Sequence, residues 1–224
     1  MHLIPDGEGE AFVLENGWDV AIPISFLMIN GELSVSYYPS CEAATRTFFE
    51  KHASDPFSAG ALDDLFALFR PFFERNGYKD DRFRDRWGYI YRGTGDGNSG
   101  TGLAVPLTAE DECRNDTTYD LAASIEDGRL AYGVVDGGRV VSVAVTHKPI
   151  DGETALVEIG VETVPRARKR GYAREAARAL IAALSDRGIT TEYRCQRYNR
   201  ASRAVAERAG LLSVGKYYYY VGRK

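Results

Sequence analysis

The stretch Val164-Pro165-Arg166-Ala167-Arg168-Lys169-Arg170-Gly171-Tyr172-Ala173 joins two different periodicities. Before it, Ala155 to Val164 reads as a strand. After it, Gly171 to Arg187 reads as a helix: Ala173, Ala176, Ala177, Leu180, Ile181 and Leu184 share one face, and Gly188 stops it. A helix N-terminus carries about four unbonded backbone N–H groups and the positive end of the dipole. A loop of N–H groups leading into it can hold a pyrophosphate, provided a residue without a β-carbon stands where the backbone meets the phosphates. Gly171 supplies that residue, and Ala173 is the next small one. Arg168, Lys169 and Arg170 put three cations where the dipole disfavours them, which calls for a compensating anion. The plainer alternative is a capped helix with a basic first turn.

Downstream, Thr190 to Cys195 reads as a strand, Asn199 to Ala209 as a helix ended by Gly210, and Leu211 to Val221 as a last strand. Upstream, Arg129 to Val135 and Arg139 to Thr146 are β-rich and separated by Asp136-Gly137-Gly138, a hairpin signal. A helical start is expected at Thr108-Ala-Glu-Asp111. The order β-β-β-α-β-α-β predicts a mixed sheet with crossover helices.

The first hundred residues read as a separate unit. Phe12 to Leu14, Asp19 to Ile22 and Phe26 to Ile29 are expected as short strands split by Asn-Gly and Pro. Ser40 to His52 is expected as a helix capped by Ser40. Leu62, Leu65, Phe66, Phe69, Phe72 and Phe73 repeat at helical spacing, with Pro71 expected to kink or interrupt them. Trp87, Tyr89 and Tyr91 alternate as in a half-buried strand. The glycine-rich run Gly93 to Gly102 lacks the Lys-Ser/Thr of a phosphate loop and reads as a linker or hairpin loop.

Composition bounds the function. The 224 residues, 44% hydrophobic and 27% charged, have the profile of a soluble globular protein. No apolar run approaches a membrane span, and the start has no secretory pattern, so a cytoplasmic location is expected. Cys41, Cys113 and Cys195 are odd in number and far apart, which disfavours a disulfide framework. They form no metal-ligand spacing with His2, His52 and His147, so no metal is expected. Net charge is −4, yet Pro165 to Arg208 holds about 12 Lys/Arg against about 4 Asp/Glu. A basic zone in an acidic chain suits a small anion better than nucleic acid. A solvated basic face on two helices is the other reading.

The junction resembles the pyrophosphate loop of the GNAT superfamily of acyl-CoA-dependent N-acetyltransferases. Arg168-x-x-Gly171-x-Ala173 matches its Arg/Gln-x-x-Gly-x-Gly/Ala pattern, and Pro165 stands three residues earlier. Asn199-Arg-Ala-Ser202 followed by Ala209-Gly210-Leu211 is similar to the family's second helix motif. The resemblance covers roughly residues 106–224, and Ile159 to Thr163 is closest to relatives with an extra N-terminal domain. It implies an α+β fold: a mixed, mostly antiparallel sheet flanked by helices at 106–224, with an N-terminal α+β domain at 1–105 that walls the acceptor pocket and sets specificity.

The resemblance further implies a V-shaped slot between Ala155–Val164 and Thr190–Cys195 for the pantetheine arm of acetyl-CoA. Backbone groups of Val161 and Thr163 would hold the thioester carbonyl and a pantetheine amide, with the Val161 N–H as oxyanion donor. The donor site would draw on Val161, Glu162, Thr163, Arg168, Lys169, Arg170, Gly171, Tyr172, Ala173, Asn199 and Ser202. An amine, of a small molecule or a peptide, would attack directly, without a covalent enzyme intermediate.

Glu158 and Glu162 lie four apart on one strand and face one side, so either suits a proton acceptor; Glu162 is preferred as nearer the thioester. Many relatives carry a tyrosine acid where this chain has Ala206. Tyr198, or one of Tyr217 to Tyr220, is the candidate substitute, although the tyrosine run also reads as a strand with rings on both faces. Cys195 reads as a buried thiol because no histidine partner is visible. A non-catalytic acyl-CoA sensor is the reading from another class, nucleic-acid binding is a weaker third, and a homodimer stays open.

Overall fold

The computed structural model describes residues 1–80, 87–95, 97 and 100–224. Part of the glycine-rich run, Asp96, Asn98 and Ser99, lies outside the described residues. The elements in chain order are β1 (His2–Pro5), α1 (Gly7–Glu15), β2 (Val20–Ile29), β3 (Glu32–Tyr37), α2 (Glu42–His52), α3 (Ala59–Arg75), β4 (Lys79–Asp80), β5 (Gly88–Gly93), β6 (Ala104–Pro106), α4 (Leu121–Glu126), β7 (Ala131–Asp136), β8 (Arg139–Thr146), β9 (Leu156–Thr163), α5 (Tyr172–Ser185), β10 (Thr190–Gln196), α6 (Arg200–Arg208) and β11 (Leu212–Arg223). The chain forms two compact units. One is Met1–Tyr89 with Gly215–Lys224; the other is Ile90–Val214. This division falls before the glycine-rich run rather than at 105/106, and it returns the last ten residues to the first unit. The physical reason is β11, whose Gly215–Arg223 segment pairs antiparallel with β2.

In the first unit β3 pairs parallel with β1 and antiparallel with β2. The core is aromatic: Phe26, Phe48, Phe49, Phe69, Phe73 and Tyr218 are almost fully buried. Tyr218 stacks on Phe26 with centroids 5.1 Å apart, while Tyr217 and Tyr219 pair with each other on the opposite face. The tyrosine run is therefore a strand with rings on both faces, as its alternation predicts.

Several local expectations for this unit are corrected. Phe12 to Leu14 lies in α1, because the Asp6 carboxylate accepts the Gly9 N–H at 2.9 Å and caps a helix. The two strands expected around Pro23 are one strand, β2. The β2–β11 register shifts between Tyr220 and Gly222, where Ile24 and Ala21 are the partners, so proline sits at an irregularity that needs no ladder donor. The Pro23 carbonyl still accepts the Tyr38 N–H at 3.0 Å. Cys41, not Ser40, occupies the cap of α2, after a 3-10 turn at Pro39–Cys41. Helix α3 runs through Pro71 without interruption.

The second unit is a sheet in the order β5-β10-β9-β8-β7-β6, mostly antiparallel, with helices flanking it. Strands β9 and β10 pair parallel, which follows from the crossover through α5. The apolar face of α5 predicted from sequence buries Ala176, Ala177, Leu180, Ile181 and Leu184. Thr108 and Asp111 form a capping box, but it opens a 3-10 turn, Ala109–Arg114, rather than an α-helix. Strands β1, β3, β4 and β6 and helix α4 have no counterpart in the sequence reading. Among the described residues no helix is long and apolar enough to cross a membrane.

Candidate active site

The site begins where β9 and β10 part. They pair only at Thr190↔Leu156, Thr191↔Val157 and Glu192↔Glu158, yet β9 continues to Thr163 and β10 to Gln196. Main-chain parity then decides what faces the gap. The Glu158 carbonyl accepts the His147 N–H at 2.8 Å, and the Val164 N–H donates to the Val141 carbonyl at 3.0 Å, so even-numbered groups of β9 serve β8. The Ala155 carbonyl accepts the Thr190 N–H at 2.9 Å, so odd-numbered groups face β10. Beyond the last pair, the Val161 and Thr163 N–H groups therefore point into the gap.

A cleft of about 620 Å³ opens there. It is lined by Val161, Glu162 and Thr163 from β9, by Arg168, Lys169, Gly171, Tyr172, Ala173 and Arg174 from the basic loop and α5, and by Tyr193, Asn199 and Ser202 opposite. Lys169 and Gly171 both adopt left-handed backbone, with φ of 65 and 84 degrees. The first intrahelical bond of α5 runs from the Glu175 N–H to the Gly171 carbonyl at 3.1 Å, so the N–H groups of Tyr172, Ala173 and Arg174 precede the ladder. The Arg168 Nε–H donates to the Thr163 carbonyl at 3.1 Å, tying the loop to the strand end. On the far wall, the Asn199 side chain caps α6 by accepting the Ser202 N–H at 3.0 Å, and the Ser202 hydroxyl bonds the Tyr193 hydroxyl at 2.8 Å. Burial pushes that Tyr193 phenol up to about 12.

Three expected residues lie elsewhere: Glu158, which is absent from the lining, Arg170 and Tyr198. Arg170 does not line the cleft; its guanidinium pairs with Asp136 at 2.9 Å, beside the Tyr172 hydroxyl. Tyr198 is 52% exposed, in the connection between β10 and α6, and is also absent from the lining. Cys195 is buried and burial pushes its thiol up to about 11, which suits an inert core thiol.

The two strand carboxylates share a face but not an environment. Glu162 Oε2 accepts from both the backbone N–H (3.0 Å) and the hydroxyl (2.7 Å) of Thr118. Glu158 faces His147 Nδ1 at 3.7 Å and Arg194 Nε at 3.5 Å. Burial lifts the Glu158 carboxyl above the ordinary carboxylate range; Arg194 and His147 oppose that, and Glu192 adds to it. Glu192 is itself buried and paired with Arg92 and Arg194, both at 2.6 Å.

Gly160 lies between the two carboxylates. A β-carbon there would collide with the Tyr119 hydroxyl and come within 2.6 Å of His147 Nε2. Sequence reasoning missed Tyr119 and weighed His147 only as a metal ligand. The available signal was a glycine flanked by alternating glutamates within a strand, which marks close approach by another group.

Residues 125–220 match the family model for GNAT acetyltransferase. Over those residues, less than half of the chain, the sequence is similar to GNAT acetyltransferases, a family that transfers acyl groups from an acyl-CoA donor to an acceptor. Solved structures with a similar fold include a putative GNAT-family acetyltransferase from Novosphingobium aromaticivorans, 21% identical, covering 66% of this chain and 68% of that one at a TM-score of 0.48. Another is a GNAT-family acetyltransferase from Colwellia psychrerythraea, 14% identical, covering 64% and 57% at 0.46. A third is a GCN5-related N-acetyltransferase-like protein from Streptococcus suis, 15% identical, covering 90% and 88% at 0.49. No curated protein sequence matches the chain.

Proposed function

We propose that the protein transfers the acetyl group of acetyl-CoA to a primary amine of a small molecule or peptide, by direct attack in a ternary complex. The observation that carries this reading is the gap between β9 and β10, with the Val161 and Thr163 N–H groups directed into it and the open N-terminus of α5 beside it. In this reading the α5 N–H groups, Arg168, Lys169 and Gly171 hold the diphosphate. Asn199 and Ser202 shape the opposite wall. The Thr163 N–H holds a pantetheine amide, and the Val161 N–H meets the thioester oxygen, where negative charge develops on attack. A preorganised donor at that position is worth several kcal/mol, roughly 10²- to 10³-fold in rate.

The N-terminal unit is proposed to select the acceptor, and the site of action to be cytoplasmic. The test is steady-state release of free CoA from acetyl-CoA with a panel of primary amines, beside calorimetric titration with CoA. Turnover with at least one amine and CoA binding to the wild type are expected. CoA binding without turnover of any amine would favour an acyl-CoA-binding module instead.

A further inference from the structure

A proton must leave the acceptor before attack, because an ammonium nitrogen has no lone pair to offer. The β9 face beside Val161 carries a group that the sequence reading never weighed for this. The His147 main chain is fixed across from Glu158 by its N–H donation to the Glu158 carbonyl at 2.8 Å. From there the ring spans two neighbours. Its Nδ1 end faces Glu158 Oε1 at 3.7 Å, and its Nε2 end reaches over Gly160, the residue immediately before Val161. The Tyr119 hydroxyl converges on the same point from the segment that precedes α4. Both groups occupy space that any side chain at position 160 would fill.

We propose that His147 is the proton acceptor of the acyl transfer, positioned by Glu158 and reaching the reacting centre over Gly160 beside Tyr119. The inference rests on the acetyl-transfer reading above. Imidazole suits the role because one ring nitrogen can take a proton while the other faces a carboxylate. The His147 side chain is 48% exposed, so the proton has a route to solvent. The charged and titratable groups around the His147–Glu158 pair and Tyr119 are Arg194 and Glu192 on β10, which face Glu158, and Glu162 on β9, which faces Tyr119. Glu192 is engaged by Arg92 and Arg194, and Glu162 by Thr118; Glu158 meets Arg194 through Oε2 at 3.5 Å and turns its other oxygen, Oε1, to His147, so it is the carboxylate that answers the imidazolium.

The step balances without a further reactant. The ammonium gives one proton to His147 Nε2. The amine lone pair forms the C–N bond while the carbonyl π pair moves to oxygen, opposite the Val161 N–H. Collapse breaks the C–S bond, with its electron pair leaving on sulfur. The surplus proton on nitrogen passes to the thiolate, and the imidazolium releases its proton to water. The products are the amide, free CoA and one proton.

The test uses the full chain and an amine that the wild type accepts. His147→Ala should turn over about 10²- to 10⁴-fold more slowly, with acetyl-CoA affinity by calorimetry unchanged. Added imidazole should restore its rate in proportion to concentration, a response that a merely structural histidine would not give. Glu158→Gln should slow the wild type but not slow His147→Ala further, since it acts through the ring. Gly160→Ala should match the His147→Ala loss by displacing the tips of two side chains, with the melting temperature confirming the fold. Wild-type turnover in His147→Ala, or a slow variant indifferent to imidazole, overturns the assignment while the acetyl-transfer reading stands. A wild type that releases CoA with no amine overturns both.

Discussion

Thr118 holds Glu162 from two sides, donating its backbone N–H at 3.0 Å and its hydroxyl at 2.7 Å to the same carboxylate oxygen. A glutamine at 162 keeps an acceptor oxygen for both donations. Glu162→Gln should therefore retain the fold and turn over within roughly threefold of the wild type, the scale expected for an exposed polar contact. Steady-state kinetics decides this; a hundredfold loss would return the proton-acceptor role to Glu162.

Gly171 has φ of 84 degrees and stands at the cleft before the free N–H groups of α5. Gly171→Asp adds a β-carbon to left-handed backbone, a strain of about 1–2 kcal/mol, and sets a negative charge beside the proposed diphosphate. The variant should fold and lose CoA binding. Calorimetry with a circular-dichroism melt checks both, and wild-type affinity would reject the loop assignment.

Burial raises the Glu158 carboxyl in the folded protein, so between its unfolded and folded values the native state binds more protons than the unfolded state. The sign is then fixed: stability falls as pH rises through that window, which begins near the ordinary carboxyl value of 4.5. Glu158→Gln removes the dependence. Melting temperatures should show the wild type losing ground to the variant from pH 4 to pH 7; parallel curves would contradict the burial effect.

The Glu175 side chain, 4% exposed, accepts the Thr101 N–H at 2.8 Å, the Thr101 hydroxyl at 2.9 Å and the Arg174 guanidinium at 2.7 Å. Despite its burial, these donors hold the carboxyl below its ordinary value. Glu175→Ala strands all three, so a loss of about 2–3 kcal/mol is expected by urea denaturation at pH 7. The loss should shrink as pH falls through the folded-state value, because protonation removes the same interactions from the wild type.

Cys113 is exposed, while Cys41 and Cys195 are buried and burial pushes each thiol up to about 11. Alkylation at pH 7.5 should therefore modify one thiol quickly, and peptide mapping should find it at Cys113. Fast labelling of Cys195 would mean that the core around β10 opens.

The α5 helix and its loop were legible because their signals are local: a 3.6-residue apolar period, a glycine at each end, and cations at the wrong pole of a dipole. The α6 cap at Asn199 was legible for the same reason. What escaped depends on distant partners. Strand β3 is the exception, because Leu33, Val35 and Tyr37 alternate with Glu32, Ser34 and Ser36 and the signal was local all the same; Pro23 breaks a strand only if the ladder needs its missing donor. Arg170 is drawn from the cleft by Asp136, thirty-four positions earlier. The preference for Glu162 over Glu158 rested on nearness along the strand. Thr118, Tyr119 and His147, which distinguish the two, arrive from other segments.

The early parting of β9 and β10 leaves the Val161 and Thr163 N–H groups without a strand partner inside a sheet rather than at its rim. Such bare edges invite any extended chain to add itself. A slender ligand with amide groups along its length can act as a guest strand there. The empty protein should then be the form more prone to self-association, and saturating CoA should suppress that association while raising the melting temperature by mass action.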